Sequence, residues 1–141
     1  MKKYLAILGI ILFLTGCATK NVHPISKTYK IKHICIQDNP KVIVGGFIDT
    51  IITLFENHGI SSEIYTGKLP ENCEYRLRYT ALKTWDIDVY MHHAELHLYK
   101  KDKKIGSGIY HLTGGGGLDL SKFESIEKKM APIVDELLND Q

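Results

Sequence analysis

The chain has 141 residues and a hydrophobic fraction of 44%, enough for one compact domain with a real core. It carries 18 Lys and Arg against 16 Asp and Glu, and the excess is no larger than Lys2 and Lys3 at the extreme N-terminus. A body this close to neutral lacks the basic surplus that selects nucleic acid or an anionic membrane surface.

After those two lysines, Tyr4 to Leu14 is an apolar run. It falls inside the ~7–15 residues of a signal-peptide core and short of the ~20 that span a bilayer. It is apolar all round, unlike an amphipathic core helix. The run ends in Leu14-Thr15-Gly16-Cys17, which resembles the bacterial lipobox of leucine, a small residue, glycine or alanine, and cysteine. That resemblance implies that residues 1–16 are a lipoprotein signal peptide and are removed. It also implies that Cys17 carries a thioether-linked diacylglycerol and an acylated amino group. Ala18, where an inner-membrane lipoprotein would carry Asp, implies the cell outer membrane with the domain on the periplasmic side. Residues 17–28 then read as a lipidated N-terminus and polar tether, and 29–141 as a single periplasm-facing domain.

In that domain, Tyr29 to Gln37 reads as a first strand covered on both faces. Asn39-Pro40 reads as a helix start, and Val44, Phe47, Ile48, Ile51, Leu54 and Phe55 recur at helical spacing as far as Gly59, a C-terminal stop. Ser61 to Thr66 is a second strand. Tyr75 to Leu82 alternates cleanly, with Tyr75, Leu77, Tyr79 and Ala81 on one face and Arg76, Arg78 and Thr80 on the other. Asp88 to Tyr99, a turn near Asp102, and Ile105 to Thr113 read as a hairpin. After Gly114 to Gly117, a helix from about Lys122 to Leu138 begins with a Ser121/Glu124 capping box and contains Pro132. The expected fold is α+β, a two-layer sandwich in the order β-α-β-β-β-β-α. Its mixed sheet has about five strands, with two helices on one face and the other face open.

Of three cysteines, Cys17 is taken by the lipid. Cys35 and Cys73 then face an oxidising compartment and are expected to form a disulfide. In the chain-entropy model that bridge contributes about 3–4 kcal/mol.

Four constellations bear on function. The open face offers Arg76, Arg78 and Glu95 as partner-binding residues. Residues two apart on a strand share a face, so His93, Glu95 and His97 lie together, and His111 falls opposite His92 or His93. His93, His97 and His111 are therefore candidate ligands for a divalent metal. The competing reading is solvated strand histidines, because neighbours at that spacing stand about 6.6 Å apart. Gly114 to Gly117 before a helix can bind an anion or serve as a plain connector. Asp86 and Asp88 beside Trp85 could do acid–base chemistry, or make the turn between two strands. Ser, Cys and His show no nucleophile arrangement. The domain is expected to be non-enzymatic, with no cofactor and no nucleic-acid partner.

Tyr79-Thr80-Ala81, Trp85-Asp86, Ala94-Glu95-Leu96, Tyr110-His111-Leu112 and the glycines before Leu118 resemble an uncharacterised family of small Gram-negative lipoproteins. The resemblance runs from Ile31 to about Leu138 and takes in Asn39-Pro40, Cys35 and Cys73. It implies a lipoprotein with no assigned activity. At the level of fold alone, the domain is also similar to small periplasmic lipoproteins that assist outer-membrane assembly or transport. The expectation is an outer-membrane-anchored interaction or assembly-accessory domain that docks an envelope protein through its open sheet face. The alternative is a small-ligand or metal-binding periplasmic module built on the hairpin histidines.

Overall fold

The computed structural model describes residues 18–116 and 118–139. The elements run β1 (Ala18–His23), β2 (His33–Gln37), α1 (Phe47–Asn57), β3 (Ser61–Tyr65), β4 (Tyr75–Trp85), β5 (Val89–Lys100), β6 (Lys103–Leu112) and α2 (Ile126–Leu137). Two short 3-10 turns, Thr113–Gly116 and Leu120–Phe123, precede α2. The strands form one six-stranded sheet in the order β1-β6-β5-β4-β2-β3. β2 is parallel to β3 and β4, and the remaining pairs are antiparallel.

The alternation read from Tyr75 onward holds: Tyr75, Leu77, Tyr79 and Ala81 are buried and their neighbours are not. On the buried side lie Phe47, Ile51 and Phe55 of α1 and Met130, Ile133 and Leu137 of α2. The helices are tied at their edges, where His58 and Asp135 pair at 2.8 Å. The fold is α+β with a mixed sheet, as expected, but with six strands instead of five.

The extra strand is β1, inside the stretch read as a tether. Its side chains are exposed except for Val22, which is half-buried, so no apolar alternation announces it. It forms because the edge of β6 needs backbone partners. The pairing is continuous from Ala18↔Leu112 to His23↔Ser107. Just beyond, Ile25 is fully buried and its N–H donates to the Leu137 carbonyl at 3.0 Å.

Both helix starts also differ from expectation. Asn39 does not cap a helix. Its Nδ2 donates to the Tyr79 carbonyl at 2.9 Å, and its Oδ1 accepts the Lys41 N–H at 3.2 Å. The chain is thereby held as a turn until Gly46, which takes φ 73 and admits α1 at Phe47. Gly59, at φ 72, ends the helix as read from sequence. The Ser121/Glu124 box does not form either. The Ser121 N–H is taken by Asp119 Oδ1 at 2.9 Å, and Ser125 caps α2 by accepting the Lys128 N–H at 3.2 Å.

Gly106 and Gly108 in β6 let α2 approach the sheet. A Cβ on Gly108 would stand 2.4 Å from Ile133 Cγ2, and one on Gly106 would stand 2.6 Å from Ile25 Cγ1. Ile133 and Ile25 are fully buried and cannot step aside into solvent. Gly108→Val is therefore expected to lower stability by about 1–3 kcal/mol, the usual cost of overpacking. A urea midpoint compared with Gly45→Ala checks it. Gly45 has open space around its Cβ position, and such a change should stay within about 0.5 kcal/mol.

Candidate functional site

The uncovered face of the sheet carries the polar side chains that alternate with the core. Cross-strand register sorts them into rows. Leu82 on β4 stands opposite His93, and His93 opposite His111. Thr80 stands opposite Glu95. Arg78 stands opposite His97, followed by Ser107 on β6 and His23 on β1. His111 is thus the partner of His93. His92 is skipped where the β4–β5 register shifts.

Glu95 organises this face. Its Oε2 accepts from His97 Nε2 at 2.7 Å and its Oε1 from His93 Nε2 at 2.9 Å. A carboxylate only accepts, so both imidazoles carry their proton on Nε2 and present a bare Nδ1 when neutral. His93 Nδ1 lies 3.2 Å from His111 Nδ1. His97 Nδ1 is buried and meets no hydrogen-bond partner among the described residues.

The bonds from His97 and then His93 hold the Glu95 carboxyl below the usual range. Its contribution to stability is therefore in place above the ordinary glutamate value, about 4.3, and is lost as pH falls through the lower folded value. His92 is pushed down by burial first, then by His93 and His111. The unfolded chain binds that proton more readily, so stability also falls as pH drops below about 6.5. Acidification should lower the urea midpoint in two stages, and Glu95→Gln should remove the second. An unchanged acid limb in that variant would refute the assignment.

Of the candidate metal trio, His93 and His111 are brought together, whereas His97 reaches His93 only through Glu95. One group of three ligand types does sit within metal-binding reach among the described residues: His33, Cys35 and Glu63. Cys35 is bonded to Cys73, so it offers no thiolate there.

The Arg76 guanidinium lies over the Tyr99 ring, 5.2 Å from its centroid. Arg78 is exposed beside an open polar cleft of about 490 Å³, lined also by Gln37, Asp38, Asn39, Tyr79 and His97. The expected disulfide is present, with Cα atoms 5.9 Å apart, and packs against Tyr65 and Leu69.

The two aspartates serve the hairpin. Asp86 is ion-paired with Lys122, and Asp88 Oδ1 accepts the Val89 N–H at 2.7 Å. The glycine tract does not lead into α2, because a second 3-10 turn and the Ser125 cap intervene. Two lysines are buried, Lys122 and Lys129. Lys129 Nζ donates to the carbonyls of Met91 and Lys122, and burial lowers its pKa.

Residues 1–18 match the family model described as a prokaryotic membrane lipoprotein lipid attachment site. The chain is a lipid-anchored membrane lipoprotein that presents a mixed-sheet α+β domain. Cys17, the residue expected to carry the lipid, lies outside the described residues. Two solved structures share the fold, both dodecamers of PelC from Paraburkholderia phytofirmans. One, a form with a single leucine-to-methionine substitution, is 14% identical with TM-score 0.51, and the other is 13% identical with TM-score 0.53. Each alignment covers 83% of this chain and 97% of PelC. No curated protein matches the chain.

Proposed function

We propose that this is an outer-membrane lipoprotein whose domain faces the periplasm and works, without catalysis, as an interaction or assembly module. The observation that carries the reading is a lipid attachment site joined to a sheet with one face left uncovered. That face presents Arg76, Arg78, Thr80 and Glu95 together with a polar cleft. Arginine and aromatic side chains such as Tyr99 suit a protein or glycan partner. The oligomeric PelC structures support assembly as the use of this fold, with further copies of the chain among the partners. Photo-cross-linkers at positions 76, 78, 93 and 95 in the native membrane should capture a protein, a glycan or another copy. Capture from the helical face with none from these positions would overturn the choice of surface.

A second reading rests on the histidine pair. Two nitrogens on one tetrahedral zinc, each bonded at about 2.0–2.1 Å, stand a little over 3 Å apart. His93 Nδ1 and His111 Nδ1 are at 3.2 Å. Glu95 on the far nitrogen of His93 is the carboxylate that orients a metal-binding imidazole. Stoichiometric zinc or copper in the purified domain, lost in His93→Ala/His111→Ala, would establish it. Metal-free protein under saturating zinc would remove it.

A further inference from the structure

Among the described residues, most of the large apolar side chains that the fold leaves in water gather at one end of the sheet. Trp85 is 73% exposed, Ile87 80%, Leu118 94% and Leu120 72%, and Val89 beside them is half exposed. Trp85, Ile87 and Val89 form the tip of the β4–β5 hairpin. Leu118 and Leu120 follow the end of β6. Lys122 joins the two groups. It is buried within the 3-10 turn Leu120–Phe123, and its ammonium pairs with Asp86 in the hairpin tip. The patch is therefore held as one surface.

The topology puts the lipid anchor at the same end. β1 starts at Ala18, opposite Leu112, the last residue of β6. Cys17 is one peptide bond from Ala18, so the acyl chains leave the domain within about 4 Å of that point. β6 and β5 are antiparallel, so the start of β5 and the end of β4 also lie at this end. His93 pairs with His111, and Val89 lies four steps further along. Allowing one step for Leu112, the hairpin projects roughly 10 Å past the level of Ala18. Side chains at a membrane interface sit about 5–10 Å deep, and tryptophan favours that zone.

We propose that Trp85, Ile87, Leu118 and Leu120 form a membrane-contact surface that seats the domain on phospholipid beside its own anchor. This contact rests on the lipid attachment site and is independent of what the open sheet face binds. It orients the sheet with β4, β5 and β6 running toward the bilayer, leaving the histidine face and the cleft open to the side.

Trp85 is the sole tryptophan, so its emission reports this surface alone. The lipidated mature protein is reconstituted into vesicles of phosphatidylethanolamine and phosphatidylglycerol, with and without bromine on the acyl chains. Trp85 emission should move to shorter wavelength, and the brominated lipid should quench it by about half or more, as expected for a ring at interfacial depth. In lipidated Ile87→Asp/Leu118→Asp/Leu120→Asp, which retains Trp85, most of that quenching should vanish while the far-ultraviolet circular dichroism stays unchanged. Should the variant fail to fold, the wild-type quenching still decides. Trp85 emission indistinguishable between brominated and ordinary vesicles would overturn the proposal and leave the tip to a protein partner. Equal quenching in wild type and a folded variant would overturn it as well.

Discussion

Replacing Cys35 and Cys73 together by alanine is expected to lower the unfolding free energy by about 4 kcal/mol. The two cysteines are separated by 38 positions, and closing a loop of that length in the unfolded chain carries about that entropy. The loop contains all of α1 and β3, the part of the fold built from parallel pairing, where the entropy of closing a loop must be met before the non-local contacts repay it. The seam it staples is the shortest in the sheet. β2 meets β4 through only two register pairs, Cys35↔Arg76 and Ile36↔Leu77. Against a total stability of about 5–15 kcal/mol for a domain of this size, the loss is large. Glu63 adds a kinetic expectation. Its Oε1 lies 3.1 Å from Cys35 Sγ and 3.3 Å from Cys73 Sγ. A carboxylate there disfavours a thiolate, so external thiols should reduce the bridge slowly. Urea unfolding with and without reductant checks both. Reductant should shift the wild-type midpoint toward that of the double variant and leave the variant unmoved. Equal midpoints, or alkylation of both cysteines in untreated protein, would refute the role.

What the sequence discloses depends on whether an element is made by its own pattern or by its neighbour's need. β4 and β5 alternate core and solvent residues and bury a full face, so their position and the facing of Arg78, His93, Glu95 and His97 follow from period alone. β1 has no such face. It exists because β6 would otherwise be an open edge, and only the register Ala18↔Leu112 to His23↔Ser107 discloses it. Asn39-Pro40 fits a helix cap locally, but Asn39 is drawn to the Tyr79 carbonyl, 40 positions away. Ser121 is likewise diverted by Asp119. The site divides in the same way. That the histidines share a face is a matter of strand period. That His93 faces His111 required a register that one residue of slip would have reversed. The apolar end of the molecule was hidden for another reason. Trp85 and Ile87 lie in one segment, Leu118 and Leu120 in another far along the chain, and nothing in either segment tells a buried apolar residue from an exposed one.

Cys17→Ala is expected to abolish acylation completely. Labelled palmitate should enter the wild-type protein and not the variant, and the mass of the mature wild type should carry the lipid while its peptide begins at residue 17. The loss of anchoring that follows is close to all-or-none because membrane binding is steep in chain number. One acyl chain binds a membrane marginally and reversibly, at about 0.8 kcal/mol per buried methylene, whereas two or three on a single residue hold a small domain almost permanently. The position of β1 sharpens the consequence. Pairing with β6 begins at Ala18, so a lipid on Cys17 would leave almost no slack between membrane and sheet, and the proposed bilayer plane lies close to the end where Trp85 and Leu118 are exposed. A flexible glycine–serine insert after Ala18 should therefore keep palmitate incorporation intact while giving the domain freedom to lift from the surface, weakening the bromolipid quenching of Trp85. Label entering Cys17→Ala as readily as wild type would place the anchor elsewhere, and the orientation built on it would fail. Label retained with quenching unchanged by the insert would show that the apolar end holds the membrane without help from the short connection.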